Sequence, residues 1–216
     1  VSVLERLGRF NAEHPWSHND AFTGFVMSHA RAVRRRGGDT ALDVGCGTGR
    51  LAGRLSHLFP NVIGIEPDRE TALLASRHVG TGTVRIEARA FGGEPDAAYD
   101  VIAFVASIHH MPLRAALLDA RAALRPSGSI VIVGVAKESE RDRWRSVVSL
   151  VLNPIVGFVR HPRRADALPE SMRAPAVEAA QTFEEIEAVV REVLPGVRMR
   201  RRLFWRYTAI WTDDGS

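Results

Sequence analysis

Two acids set around a glycine turn are the first residues of this chain that could do chemistry. Ala41-Leu42-Asp43-Val44-Gly45-Cys46-Gly47-Thr48-Gly49 is an apolar run that ends in an acid and then a glycine-rich turn. Val62-Ile63-Gly64-Ile65-Glu66-Pro67 is a second apolar run that ends in another acid. Glycines leaving a strand let a ligand lie against backbone N–H groups, because no Cβ blocks the approach. An acid ending the next strand is placed to accept both hydroxyls of a ribose. The ligand implied is a nucleoside with a polar tail. Asp43 bears on the tail, since an acid two residues before the first glycine would crowd a pyrophosphate but suits an ammonium. The looser fingerprint Gly47-x-Gly49-x-x-Ala52, with Glu66 near ribose distance, is also satisfied and leaves a nicotinamide or flavin ligand open.

A second group of candidates follows a later apolar run. Tyr99-Asp100-Val101-Ile102-Ala103-Phe104-Val105-Ala106 leads into Ser107-Ile108-His109-His110. An imidazole titrates near neutral pH, so His110, or less readily His109, could take the proton of an acceptor hydroxyl. The plainer reading has one histidine capping the next helix and the other packed against it. Near the start, His14, Trp16, His18 and Asp20 lie close in sequence. Trp16 could stack on a ligand. No second cluster completes a set of metal ligands, so no metal is expected. Cys46 is the sole cysteine. It sits where the turn needs a small residue, and it allows no intrachain disulfide, which suits a reducing compartment.

The elements that must position these groups are legible as periodicity. From residue 40 onward apolar strands alternate with amphipathic helices, the pattern of a parallel sheet covered on both faces. Strands are predicted at 40–44, 62–65, 83–87, 100–105 and 128–134, with helices near 49–58, 69–79 and 113–124. Pro112 is expected in the first turn of the last helix, and Pro126-Ser127-Gly128 as a turn into the fifth strand. Residues 3–13 and 20–36 read as two earlier helices, the second stopped by Gly37-Gly38. Thr182 and Glu185 form a capping box that opens a further helix. Two strands near 197–204 and 206–212 have almost nothing between them, which permits only an antiparallel pair. Arg198, Arg200 and Arg202 alternate along the first of these and read as a solvated edge.

The two acid-and-glycine motifs and the closing hairpin resemble the class I S-adenosylmethionine-dependent methyltransferases over about residues 40–212. The resemblance implies an α/β fold: a Rossmann-like seven-stranded sheet with an antiparallel C-terminal hairpin strand, helices on both faces and an N-terminal helical cap. It divides the chain into a cap at 1–38 and a methyltransferase domain at 39–216, with 138–170 as a lid-like insertion. By resemblance the cofactor is S-adenosyl-L-methionine, leaving as S-adenosyl-L-homocysteine. Asp43, Gly45, Gly47 and Gly49 would hold its methionine part and Glu66 its ribose, with Pro67 and Val105 lining the site. The family usually places an acid and a small residue against the adenine after the third strand. Here that stretch reads Ile86-Glu87-Ala88-Arg89-Ala90-Phe91, which leaves the backbone of Ala88, Arg89 and Ala90 to make the contact. Trp16 and His14 would shape the acceptor pocket from the cap. The family's Asn-Pro-Pro-Tyr signature for nitrogen methylation is absent after the fourth strand. The resemblance is to small-molecule enzymes of actinobacterial type, and O-methylation of a small acceptor is the expected reaction. An RNA or protein methyltransferase and an NAD-dependent oxidoreductase are the alternatives.

Composition narrows the partners. The 216 residues carry 45% hydrophobic and 25% charged residues with a formal charge of +4, ordinary values for a globular chain. The cations are spread among the acids, which argues against a nucleic-acid partner. No apolar stretch reaches 18 residues, so no transmembrane segment is expected. Residues 1–6 do not read as a signal peptide, and a cytoplasmic location is expected. The apolar block at 147–159 lies between Arg-rich flanks and reads as a lid over substrate or a contact in a homo-oligomer.

Overall fold

The computed structural model describes residues 18–80, 82–137, 179–203 and 205–213. Helix α1 (His18–Arg35) precedes strand β1 (Thr40–Val44), helix α2 (Arg50–Leu55), β2 (Asn61–Ile65), α3 (Arg69–Val79) and β3 (Val84–Glu87). Strand β4 (Tyr99–Val105), a 3₁₀ turn (Ile108–His110), α4 (Leu113–Ala123) and β5 (Leu124–Val135) follow. Helix α5 (Phe183–Val193) and strands β6 (Arg198–Arg201) and β7 (Arg206–Thr212) close the described chain.

The strands form one seven-stranded sheet in the order β3-β2-β1-β4-β5-β7-β6. Strands β1 to β5 pair in parallel, while β7 runs antiparallel to both β5 and β6. The expected antiparallel hairpin is present. The order reverses between β1 and β4, which opens a crevice beyond their carboxyl ends.

Each central strand is buried on both faces, which is why the apolar runs are continuous rather than alternating. In β4, Val101 and Ala103 face the layer holding Val26, Ala30 and Val33 of α1 with Leu55 and Phe59. Ile102 and Phe104 face the opposite layer with Leu117, Ile186 and Val190. Helix α1 is thus packed directly on the sheet. The N-terminal residues 1–17, with the expected helix at 3–13, and residues 138–178, with the 147–159 block, lie outside the described residues.

Local chemistry sets the boundaries. Asp68 caps α3 by accepting the Thr71 N–H at 2.8 Å. Thr182 and Glu185 complete the capping box of α5. Several limits differ from the sequence reading. Helix α2 ends at Leu55, and the following turn delivers Phe59 into the core at 1% exposure. Strand β5 begins at Leu124 and absorbs the predicted Pro126–Gly128 turn as an irregularity, with Ser127 at φ 64°. Pro112 caps α4 rather than entering its first turn, since its missing N–H is not needed there. Strand β6 stops at Arg201. Its Arg198 and Arg200 are exposed along the sheet's edge. Among the described residues no helix is long and apolar enough to cross a membrane.

Candidate active site

Parallel pairing brings the candidate residues to one edge. Asp43 sits opposite Gly64 of β2 and Ala103 of β4, so the ends of all three strands are adjacent. The chain leaves β1 with the Gly45 and Cys46 N–H groups both donating to the Ile65 carbonyl, at 2.8 and 2.9 Å. Gly45, Gly47 and Gly49 have φ of 70°, 53° and 78°, a region that suits glycine. A Cβ on Gly47 would meet open space. One on Gly49 would press on Val79 and Ala75 of α3. The backbone of Gly47 therefore faces open space, and Gly49 lets two helices approach.

Asp43 is 2% exposed, and its Oδ2 has no hydrogen-bond partner. Burial raises its carboxyl to about 7, helped by the Glu66 charge and opposed by the Ala52 backbone N–H. An orphaned buried carboxylate oxygen next to a glycine turn calls for a cationic donor. Glu66 spans the same turn: its Oε2 accepts the Gly47 N–H at 3.0 Å and its Oε1 accepts the Asp68 N–H at 3.1 Å. Each oxygen keeps a lone pair for a further hydroxyl donor. Burial also pushes the Cys46 thiol up, with Asp43 and Glu66 adding to it. A thiol so held is no nucleophile.

The stretch after β3 accounts for the unusual arginine. Arg89 donates from Nε to Glu87 at 2.7 Å and grips both oxygens of Glu94 at 2.6 and 2.9 Å. The Glu94 side chain is fully buried and also accepts the Tyr99 hydroxyl at 2.8 Å. Burial alone would raise Glu94, but Arg89 and Tyr99 together hold it below the usual range. The Arg89 side chain is thus committed to the fold, while Ala88 and Ala90 are exposed beside Glu66. Pro67 is exposed and Val105 half-buried on the same edge. Phe91 packs edge-on against Phe104, with ring centroids 5.5 Å apart.

Beyond β4, Ala106 takes φ 53° and turns the chain into the 3₁₀ segment. His109 is half-buried with its Nδ1 unpartnered, and His110 is exposed, the two rings 4.1 Å apart. Burial, then the His110 and Arg206 charges, lowers His109 to about 4. It is neutral at physiological pH. Trp16 and His14 lie outside the described residues. Ser107, buried beside the glycine turn with an unpartnered hydroxyl, was not among the residues picked from sequence. A serine at a cap position gives no hint that its hydroxyl is unused.

A parallel sheet with a single reversed strand inserted near its end is the methyltransferase form of the Rossmann-like fold. A family model described as a methyltransferase domain matches residues 42–132. An uncharacterised methyltransferase of Mycobacterium tuberculosis is 28% identical over 202 residues, 92% of this chain and 98% of its own. A ubiquinone biosynthesis O-methyltransferase of Burkholderia vietnamiensis is 31% identical over 126 residues, 55% of this chain and 53% of its own. The crystal structure of an S-adenosylmethionine-dependent methyltransferase from Aquifex aeolicus superposes with a TM-score of 0.50 at 18% identity, covering 81% of this chain and 82% of that one. Together with the sheet topology, these matches support a class I S-adenosylmethionine-dependent methyltransferase.

The residues present fit that cofactor. The orphaned Asp43 oxygen matches its ammonium, the open face of Gly47 admits its tail, and the spare lone pairs of Glu66 match its ribose.

Proposed function

We propose that the enzyme methylates an oxygen of a small-molecule acceptor, with His110 as the base. The observation that carries this reading is the histidine pair directly beyond β4, at the edge where the glycine turn and Glu66 also lie. The partial match to an O-methyltransferase supports it. When bound, S-adenosylmethionine supplies a methyl carbon made electrophilic by its positively charged sulfur. Asp43 and the Gly45–Gly49 turn hold its amino-acid part, Glu66 its ribose, and the Ala88–Ala90 backbone with Pro67 and Val105 lines the rest. Holding two reactants in line is worth several kcal/mol of barrier. His110 has a solvent-exposed ring that can accept a hydroxyl proton at a ring nitrogen as the oxygen attacks. The lowered basicity of His109 fits it less well for that task. Its neutral ring instead packs beside the His110 ring. Trp16 and His14 stand as the proposed acceptor contacts.

The test is a panel of phenols, carboxylic acids and amines incubated with methyl-labelled cofactor and read by mass spectrometry. Kinetics of His110→Ala on the acceptor found would follow. Turnover on a phenol is expected to fall by about 10²- to 10⁴-fold, with cofactor affinity unchanged and partial recovery at a pH where the phenolate forms unaided. Methylation confined to nitrogen, or a loss under tenfold with an unchanged pH profile, would overturn the reading.

A further inference from the structure

At the end of the sheet opposite the glycine turn lies an open groove of about 520 Å³, lined by Arg36, Ser127, Gly196, Arg198, Thr212 and Asp213 among others. Strand register explains its shape. Ser129 of β5 pairs with Thr212 of β7, and Ile210 of β7 pairs with Arg198 of β6. Paired residues, and residues two apart on one strand, share a sheet face, so Ser129, Thr212, Ile210 and Arg198 lie on one side. That side is the one α1 covers. Arg36, just past the helix, donates to the Ser129 hydroxyl at 3.1 Å and to the Ser127 carbonyl at 3.3 Å. Among the described residues, the buried layer under α1 holds Val131 and Val133 of β5 but no residue of β7. Strand β7 is therefore the floor of the groove, with an arginine on either wall.

The lining is rich in donors. Both bonds of Arg36 to β5 use Nη2, which fixes the guanidinium and leaves its other N–H groups for a ligand. The Arg198 side chain is exposed and makes no hydrogen bond or ion pair among the described residues. Asp39 and Asp100, the acids beside the amino ends of β1 and β4, are claimed by Arg125 at 2.9 and 3.0 Å. Asp213 is the one acid of the lining, against two arginines. Ser127 adds a hydroxyl on the rim. It holds φ 64°, unfavourable for serine, with its N–H donating to the Asp213 carbonyl at 3.0 Å. Such backbone strain gathers at ligand sites.

We propose that this groove binds a phosphate-bearing small molecule, its phosphate gripped between Arg36 and Arg198. The walls stand two strand spacings apart, roughly 10 Å, a span that two arginine side chains close from opposite sides. Guanidinium forks suit phosphate oxygens, and a tetrahedral anion offers oxygens to both forks at once. The site is separate from the cofactor's. Helix α1 ends where β1 begins, so its 18 residues, about 27 Å, run from the groove toward the catalytic edge. The ligand is thus neither the cofactor nor the acceptor.

Titration calorimetry of the full chain with pyrophosphate, in a phosphate-free buffer, tests the site. Wild type is expected to bind one pyrophosphate per chain, with or without saturating S-adenosylhomocysteine. Arg198→Gln and Arg36→Gln should each weaken binding by about 10- to 100-fold, the range for a hydrogen bond to a charged group. Arg200→Gln removes the same charge from the same strand outside the groove, and should change affinity by less than about threefold. Arg198 is exposed on an edge strand, so its variant carries the test if Arg36→Gln, which loses its bonds to β5, does not fold. Equal losses in all three variants would show a diffuse attraction to positive charge and overturn the proposal. Loss of binding in the presence of S-adenosylhomocysteine would put the anion in the cofactor site and overturn it as well. Citrate matching pyrophosphate in every variant would overturn the phosphate assignment. Absence of saturable binding at millimolar pyrophosphate would overturn the site itself.

Discussion

Asp43→Asn is expected to make the ligand-free protein more stable while crippling its binding of cofactor. Burial pushes the carboxyl up to about 7 in the fold, far above the ordinary aspartate range. A raised carboxyl means that the folded state binds the proton more tightly than the unfolded chain. Its contribution is therefore harmless below about pH 4 and grows unfavourable as pH rises toward 7, then levels off. The slope in that window is ~1.4 kcal/mol per pH unit, so the cost approaches ~4 kcal/mol at pH 8. Asparagine keeps the shape and can still accept from the Ala52 N–H, but it carries no charge to bury. The variant should roughly match wild type at pH 4, pull ahead as pH rises, and exceed it by about 4 kcal/mol at pH 8. Urea unfolding of both proteins across pH 4–9 reads this difference, because other titrating groups cancel between the two. At pH 8, S-adenosylhomocysteine should reverse the order, stabilising wild type by mass action far more than the variant. Parallel stability curves for the two proteins would refute the buried, unpaired carboxylate. A variant less stable than wild type at pH 8 would show that Asp43 has a partner holding its charge.

Glu66→Ala is expected to weaken S-adenosylhomocysteine binding by ~2–4 kcal/mol, because the ribose loses two acceptors and the Gly47 N–H loses its partner. Calorimetry on the folded variant measures it, and unchanged affinity removes Glu66 from the site. Glu94→Gln leaves Arg89 without its bidentate partner and should cost ~1–3 kcal/mol of stability, the half-exposed guanidinium limiting the loss. Because Glu94 is held below its ordinary value, its contribution is present above about pH 4.5 and fades as pH falls through the depressed folded value. Acid unfolding of the variant should accordingly be less steep than that of wild type.

Much of the architecture was legible because its causes are local. Apolar runs announced β1, β2 and β4, the capping box announced α5, and the short link before Arg206 required an antiparallel closing pair. Asp43 and Glu66 stood out because each ends an apolar run beside a turn. The rest depended on residues distant in sequence. Arg89 looked like a departure in the adenine segment; only the fold shows it gripping Glu94, which in turn takes the Tyr99 hydroxyl. Phe91 follows in the same stretch, and only the fold shows it packed edge-on against Phe104 of β4. Ser107 and Gly45 are 62 residues apart, and nothing in either neighbourhood signals that one fills the space the other leaves. The same holds for the titration of Asp43 and His109, which burial decides and composition does not. Periodicity and capping act within a few residues and can be read along the chain. Register, burial and hydrogen-bond satisfaction are set by which strands lie side by side, and tertiary structure alone determines them.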